Sequence, residues 1–449
     1  MTTNYNELET EPVGKLIDKF ALSTIPAMLI THIYNAVDTY FIGSINTQAS
    51  AAVGVAMSAM AIMQAVGFFF GQGSANSISL HLGHRDLKAA SRIASFGFFA
   101  AVFSGLLILL LGNIFVTELA YALGSTPTVL PYATAYLSII FFGAPYQCAT
   151  LVLNNQLRSQ GKAFYAMVGL MTGGVLNIFL DPLFIYTFDM GIAGAALATI
   201  LSQLVSFTIL FHNHKKFDVH LSIKRLKVNS ENFNEIVGGG LPSLVRQSVN
   251  AVGVLAMNHA AGVYGDAAIA AVSIVGRITL LANAVIIGMG HAFQPICGYN
   301  YGAGNYQRVL QGFTYIVKRA VVYFALVSVL LFVFSPQVID IFIDDPQVIE
   351  IGAKTLRFSA AVMAFSSLFM LCTMLMQTIR LAKESSFLSF MRTGGFLIPL
   401  VFFLSAKLGI LGIQIAQPVS DLLSTAIAVV MTKPLIDSLR RGVPYEKHS

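Results

Sequence analysis

Apolar runs of about 20 residues, each bounded by charge or by a Gly/Pro break, recur twelve times along the chain, and that is the length a helix needs to cross a bilayer. They predict helices at 16–43, 51–82, 89–115, 130–156, 163–187, 192–212, 234–258, 268–298, 308–334, 350–378, 385–406 and 409–432. The pattern also repeats. Ala51-Ala52-Val53 returns as Ala270-Ala271-Val272, Gly71 as Gly290, Leu82-Gly83 as Tyr301-Gly302 and Pro127 as Pro346, all 219 positions later. Pro26 has its counterpart in Pro242 at 216, Thr172-Gly173-Gly174 in Thr393-Gly394-Gly395 at 221, and Gly191-Ile192-Ala193-Gly194 resembles Gly409-Ile410-Leu411-Gly412 at 218. Each match is weak alone, but a near-constant offset along the chain marks an internal duplication. Six helices per repeat is an even number, so both halves insert the same way up. They are expected to be related by an axis along the membrane normal, with substrate between them.

Composition agrees with this reading. The chain has 449 residues, 56% hydrophobic and 11% charged, against about 25% charged in a soluble domain. From the acidic-leaning first residues and the long first apolar run, no cleavable signal peptide is expected. Cys148, Cys297 and Cys372 lie in apolar runs without metal-ligand spacing and read as packing residues. The net charge of +6 is a topology signal. With both termini inside, the inner segments hold Lys15, Lys19, Arg85, Lys88, Arg92, Arg158, Lys162, Lys215, Lys216, Lys224, Arg225, Lys227, Arg308, Arg380, Lys383, Lys433, Arg440, Arg441 and Lys447. The outer segments hold Lys354, Arg357 and Lys407, a split of 19 to 3 that fixes orientation. Acidic residues cluster outside, at Asp340, Asp344, Asp345 and Glu350. Nucleic acid is not an expected partner.

Two carboxyl groups interrupt the apolar runs of the first half. Thr31, Asn35 and Asp38 form one polar stripe at i, i+4 and i+7 on the first helix, which carries Pro26 near its start. A carboxyl at a helix centre costs roughly +2.5 to +3.5 kcal/mol on insertion scales, so that stripe must face protein or water. The second is in Asn177-Ile-Phe-Leu-Asp181-Pro182, where Asn177 and Asp181 share a face and Pro182 frees a carbonyl of the kind that lines ion sites. Thr199 of the sixth helix lies at matching depth. At about 1.5 Å per residue, these groups sit roughly 7–11 Å below the outer surface. Two carboxylates, an amide and a hydroxyl are hard oxygen ligands suited to a small cation. Desolvated and mutually repelling, the same pair also suits a proton. The sequence leaves Na+ and H+ both open. Alone, either acid could instead reach the outer interface or bond to a neighbouring helix.

The second half departs from the first. Its seventh helix carries Arg246, Asn250 and Asn258 where carboxylates would recur, and Asp421 lies in the twelfth. An unpaired ion at that depth is untenable, so Asp421 is expected to pair with Arg246 or with Arg277. His32, His259 and His291 read as interior hydrogen-bonding residues. Tyr34, Asn35, Asn154 and Arg246 are candidates to line a substrate cavity; packing serves equally for Tyr34, and helix capping for Asn154. Gly83-His-Arg-Asp86 is a short turn, and no Walker, Gly-x-Ser-x-Gly or HExxH sequence supports ATP-driven or hydrolytic function.

Pro26 with Tyr34-Asn35-Ala-Val-Asp38-Thr-Tyr-Phe-Ile-Gly43, Asn177-Ile-Phe-Leu-Asp181-Pro182, the Gly-rich start of the sixth helix and the six-plus-six repeat resemble the MATE (multidrug and toxic compound extrusion) transporters. The resemblance covers essentially the whole chain. It implies an all-α membrane protein of twelve helices in two pseudo-twofold-related six-helix lobes forming a V. It implies that Asp38, Asn177, Asp181 and Thr199 form the coupling-cation site, a Na+ site if coupling is to sodium, and that the first helix moves by bending at Pro26. Acids that some members use in helices seven and ten are missing here. The expected division is a tail at 1–13, an N-lobe at 14–213, a linker at 214–233, a C-lobe at 234–434 and a tail at 435–449. The expected function is antiport in the inner membrane, by a monomer with both termini cytoplasmic. It would export amphipathic or cationic organic compounds against Na+ or H+, with no cofactor. A flippase for a lipid-linked precursor is the alternative, with Arg246 and Arg277 receiving a phosphate. A channel fits less well, because the acids are confined to one lobe.

Overall fold

The computed structural model describes residues 6–43, 45–225 and 229–445; of the basic positions counted above, Lys227 and Lys447 lie outside them. The twelve expected helices form as α1 (Val13–Gly43), α2 (Thr47–Gly83), α3 (Leu87–Ile114), α4 (Leu130–Ser159), α5 (Ala163–Pro182) and α6 (Gly191–His214). The second six are α7 (Ser230–Gly262), α8 (Asp266–Gly302), α9 (Tyr306–Val333), α10 (Pro346–Thr378), α11 (Ala382–Phe390, continuing to Leu408) and α12 (Ile410–Arg441). Short helices at Asn6–Thr10, Val116–Ala122 and Ser335–Asp340 were not expected. Among the described residues, eleven helices are long and apolar enough to cross a membrane. The exception is α7, where Glu235, Arg246, Gln247, Asn250 and Asn258 dilute the apolar run. Asn46, Asp86, Asn229 and Asp345 cap helices by accepting from backbone N–H groups of the first turn. Asp86 thereby turns Gly83-His-Arg-Asp86 into the α2–α3 connection, and its exposed carboxyl is held below the usual range chiefly by the Ala89 N–H.

Within the first half α4 packs on α2, α3 and α6, while α5 packs on α1 and α6; in the second half α10 packs on α8, α9 and α12, and α11 on α7 and α12. The halves meet through α1 on α8, α2 on α7 and α2 on α8. Residues separated by the repeat offset touch each other along α2 and α8. Gln72 Nε2 lies 3.4 Å from His291 Nε2, 219 positions away. A Cβ on Gly298 would stand 1.9 Å from Ser79 Oγ, one on Gly83 2.1 Å from Tyr299 O and one on Gly302 2.2 Å from Leu80 O. Equivalent positions meet in this way only beside a twofold axis. The α1–α8 contact, with Thr24 Oγ1 donating to Gly288 O at 2.6 Å, has its counterpart in Gly240 against Phe69 O.

These contacts cluster at one end of the bundle, the end where α1 begins and α12 finishes. One hydrophobic core there draws on both halves, from Leu16, Ile17, Phe20 and Ile78 to Phe293, Ile296 and Phe313. Toward the far end the core divides into clusters that belong to one half each. Two lobes joined at one end and parted at the other make the V. The helix pair at its apex depends on glycine. Gly83→Val is expected to destabilise the protein by roughly 1–3 kcal/mol, read as a lowered unfolding midpoint, because a side chain there meets backbone. Gly54→Ala on the same helix, with open space around it, is the control and should leave the midpoint unchanged or slightly raised, because alanine is the better helix former.

Candidate cation site

α1 runs through Pro26 without leaving the helix and brings Asp38 to within two turns of its far end. α5 continues past Pro182 rather than breaking there. It widens there into a π-helical turn, Leu183–Thr187, closed by Phe188 N–H donating to Leu183 O at 3.0 Å. That turn reaches α1 through Tyr186, whose hydroxyl donates to Phe41 O at 3.5 Å. It also reaches α6, where Gly194 lets the Phe184 carbonyl approach so closely that a Cβ would stand 2.7 Å away. Gly174 likewise leaves room for the Tyr34 ring of α1, which a Cβ there would meet at 3.1 Å. Three helix ends are thus drawn together around the two acids.

Asp181 is fully buried and Asn177 3% exposed, with Asn177 Nδ2 donating to Asp181 Oδ1 at 3.0 Å. The Asp38 carboxyl is half-buried and faces that of Asp181 within hydrogen-bonding reach. Tyr136 of α4 is buried and stands in the field of both acids. Asp38 Oδ1, Asn177 Oδ1, Asp181 Oδ2 and Thr199 Oγ1 are all buried and all lack a hydrogen-bond partner. Buried acceptors are normally satisfied, so the orphaned carboxylate and amide oxygens of Asp38, Asp181 and Asn177, with a Thr199 hydroxyl free to accept or donate, favour a positive charge. No group of three or more His, Cys, Asp or Glu able to hold a metal exists among the described residues. The donor set is two carboxylates, an amide and a hydroxyl, which suits a proton or a small hard cation.

The other expected residues divide. Tyr34 packs against α5, and Asn35 is half-buried beside it. The Thr31 hydroxyl donates to Ala27 O at 2.8 Å, so within the polar stripe Asp38 alone supplies the cluster. Asn154, buried, donates to Ala166 O at 2.9 Å and ties α4 to α5, and it also lines a narrow cavity between α1, α4 and α5 with Ser23, Thr24 and Met167. Asp421 pairs with neither Arg246 nor Arg277. Arg277 is exposed, and the partner of Asp421 is Arg392, Nε to Oδ1 at 2.8 Å. Gln417 Nε2 and Ser366 Oγ complete its shell at 2.8 and 2.6 Å. Arg392 comes into range through a π-helical segment of α11, Met391–Leu397, where the repeat offset rises to 221. Arg246, half-buried on the same wall, donates to Ser243 Oγ at 3.3 Å. Tyr136 and Arg392 gave no signal in the sequence beyond a polar atom within an apolar helix.

A family model described as MatE matches residues 24–183 and 242–403, one block in each lobe. The chain belongs to the MATE family. This MATE transporter, a multi-pass membrane protein and not an enzyme, is similar to the multidrug export protein MepA of Staphylococcus aureus. The two are 26% identical over 434 residues, 96% of each chain. The MepA of Staphylococcus saprophyticus gives the same identity over 435 residues, again 96% of each. Among solved structures, a MATE transporter in an outward-facing conformation superposes with a TM-score of 0.92 at 24% identity, covering 98% of this chain and 100% of the other. A MOP superfamily transporter from Pyrococcus furiosus gives 0.91 at the same identity, covering 98% and 99%. At that identity the likeness shows the fold.

Proposed function

We propose that this MATE transporter is a secondary active antiporter that exports amphipathic, often cationic organic compounds in exchange for Na+ or H+. The observation that carries the proposal is the convergence of four partnerless oxygens from Asp38, Asn177, Asp181 and Thr199 in one lobe. Two carboxylates side by side in a dry site repel each other and cannot both stay charged without a cation or proton between them. Loading the site changes its charge and hence the packing of α1 against α5 and α6. That supplies the differential affinity by which an ion shifts a protein between two arrangements. The relatives' printed role in multidrug export supports the substrate class.

The protein sits in the cytoplasmic membrane as a monomer with both termini inside. The V then opens outward, and the two lobes, 14–213 and 234–434, are the bodies that rock. Arg246 and Asn35 face substrate from opposite lobes. Fluorescent dye loaded into vesicles is expected to leave when an inward gradient of one of the two ions is imposed, and to stay when both gradients are collapsed. Efflux that ignores both gradients would sink the proposal.

A further inference from the structure

Where α2, α4 and α8 meet at the closed end of the V lies a small polar cavity with space for about one water-sized species. It is lined by Gln72, Asn76 and Ser79 of α2, Asn155 and Arg158 of α4, and His291 and Gln294 of α8. Arg158 is 6% exposed and has no carboxylate partner among the described residues. Its Nη2 donates to Asn155 Oδ1, while Nε and Nη1 are buried with no acceptor. Gln294 Nε2 is a buried donor without an acceptor, and so is one histidine nitrogen. Gln72 Nε2 can only donate to His291 Nε2, so the ring proton falls on the partnerless Nδ1. Every unmet group named here is a donor, and one carries a full charge.

A water could accept some of these bonds but would leave the guanidinium uncompensated, which is costly in the interior. Glu235, the carboxylate of this seam, is engaged by His81 at 2.9 Å and Arg380 at 3.8 Å. We infer that the cavity is a binding site for one small inorganic anion, a chloride-sized halide, held by Arg158 and capped by Gln294. Its walls come from both lobes, so the anion can be held only while the closed end is joined. Binding therefore favours that arrangement over one in which the seam parts. The binding itself stands apart from the identity of the exported compound and of the coupling cation.

The test uses purified full-length protein with gluconate as sole anion, titrated with chloride and then with bromide at constant ionic strength. The unfolding midpoint is expected to rise by several degrees and to saturate with either halide. Arg158→Gln should remove the rise. Gln294→Leu keeps the charge but loses a donor, and should move the half-saturating concentration up about 5- to 10-fold. Should Arg158→Gln fail to fold, the Gln294→Leu shift decides. Asp38→Asn should keep the full halide response, which separates this site from the cation site. No saturable rise in the parent protein overturns the inference, as does an unchanged half-saturating concentration in Gln294→Leu.

Discussion

Asp38→Asn is expected to reduce gradient-driven efflux to the leak of protein-free vesicles while leaving a folded, inserted protein. Its unfolding midpoint should equal or exceed that of the parent. The reason lies in what the Asp38 carboxyl meets. It faces Asp181, a second acid, in a site where Oδ1 has no donor. Replacing one acid of the pair by a neutral amide removes the cost of holding a second ionisable carboxyl beside Asp181, so stability should be unchanged or rise by roughly 1 kcal/mol. Activity should fall because the remaining groups no longer require a cation. Loss of activity together with a lowered midpoint would assign Asp38 a structural role instead. Unaltered efflux in this variant would remove the acid from the mechanism.

Asp421→Ala is expected to do the reverse and cost about 3 kcal/mol, the loss that follows when one partner of a buried ion pair is removed. The Asp421 shell is complete, with Arg392 and Gln417 on one oxygen and Ser366 on the other. Deleting it strands the Arg392 guanidinium, 27% exposed, against the Phe369 ring. The double variant Arg392→Met with Asp421→Leu should recover most of the stability, because apolar replacements leave no unpaired charge. Thermal unfolding of the two single variants and the double reads this directly. Equal midpoints for Asp421→Ala and the parent would mean that the pair carries no structural load. The two acids are chemically identical and equally foreign to a bilayer. What distinguishes them is whether their oxygens have partners.

Much of this was legible in the chain. Twelve apolar runs and a near-constant offset gave the helices and their duplication, because hydrocarbon forces both length and apolarity on a spanning segment. Asp38 and Asp181 stood out for the same reason: a carboxyl inside an apolar run is expensive and therefore conspicuous. Partner choice was less legible. Arg392 was missed as the partner of Asp421 because a π-helical widening, which leaves little trace in residue type, rotates it into place. Asn154 ties α4 to α5 through Ala166 O, a contact that residue type alone does not announce. The apex of the V was also hidden. That Gly83 and Gly302 sit at crossing backbones follows from the twofold axis, and the offset gives the equivalence but not the contact.

Whether Asp38 and Asp181 share one small cation is read most directly from binding stoichiometry on purified protein. Radiolabelled sodium uptake and proton uptake from weakly buffered solution should together show one cation per chain at this site. That uptake should disappear in both Asp38→Asn and Asp181→Asn. Parent-like uptake in either single variant, or two cations bound independently, would contradict the account.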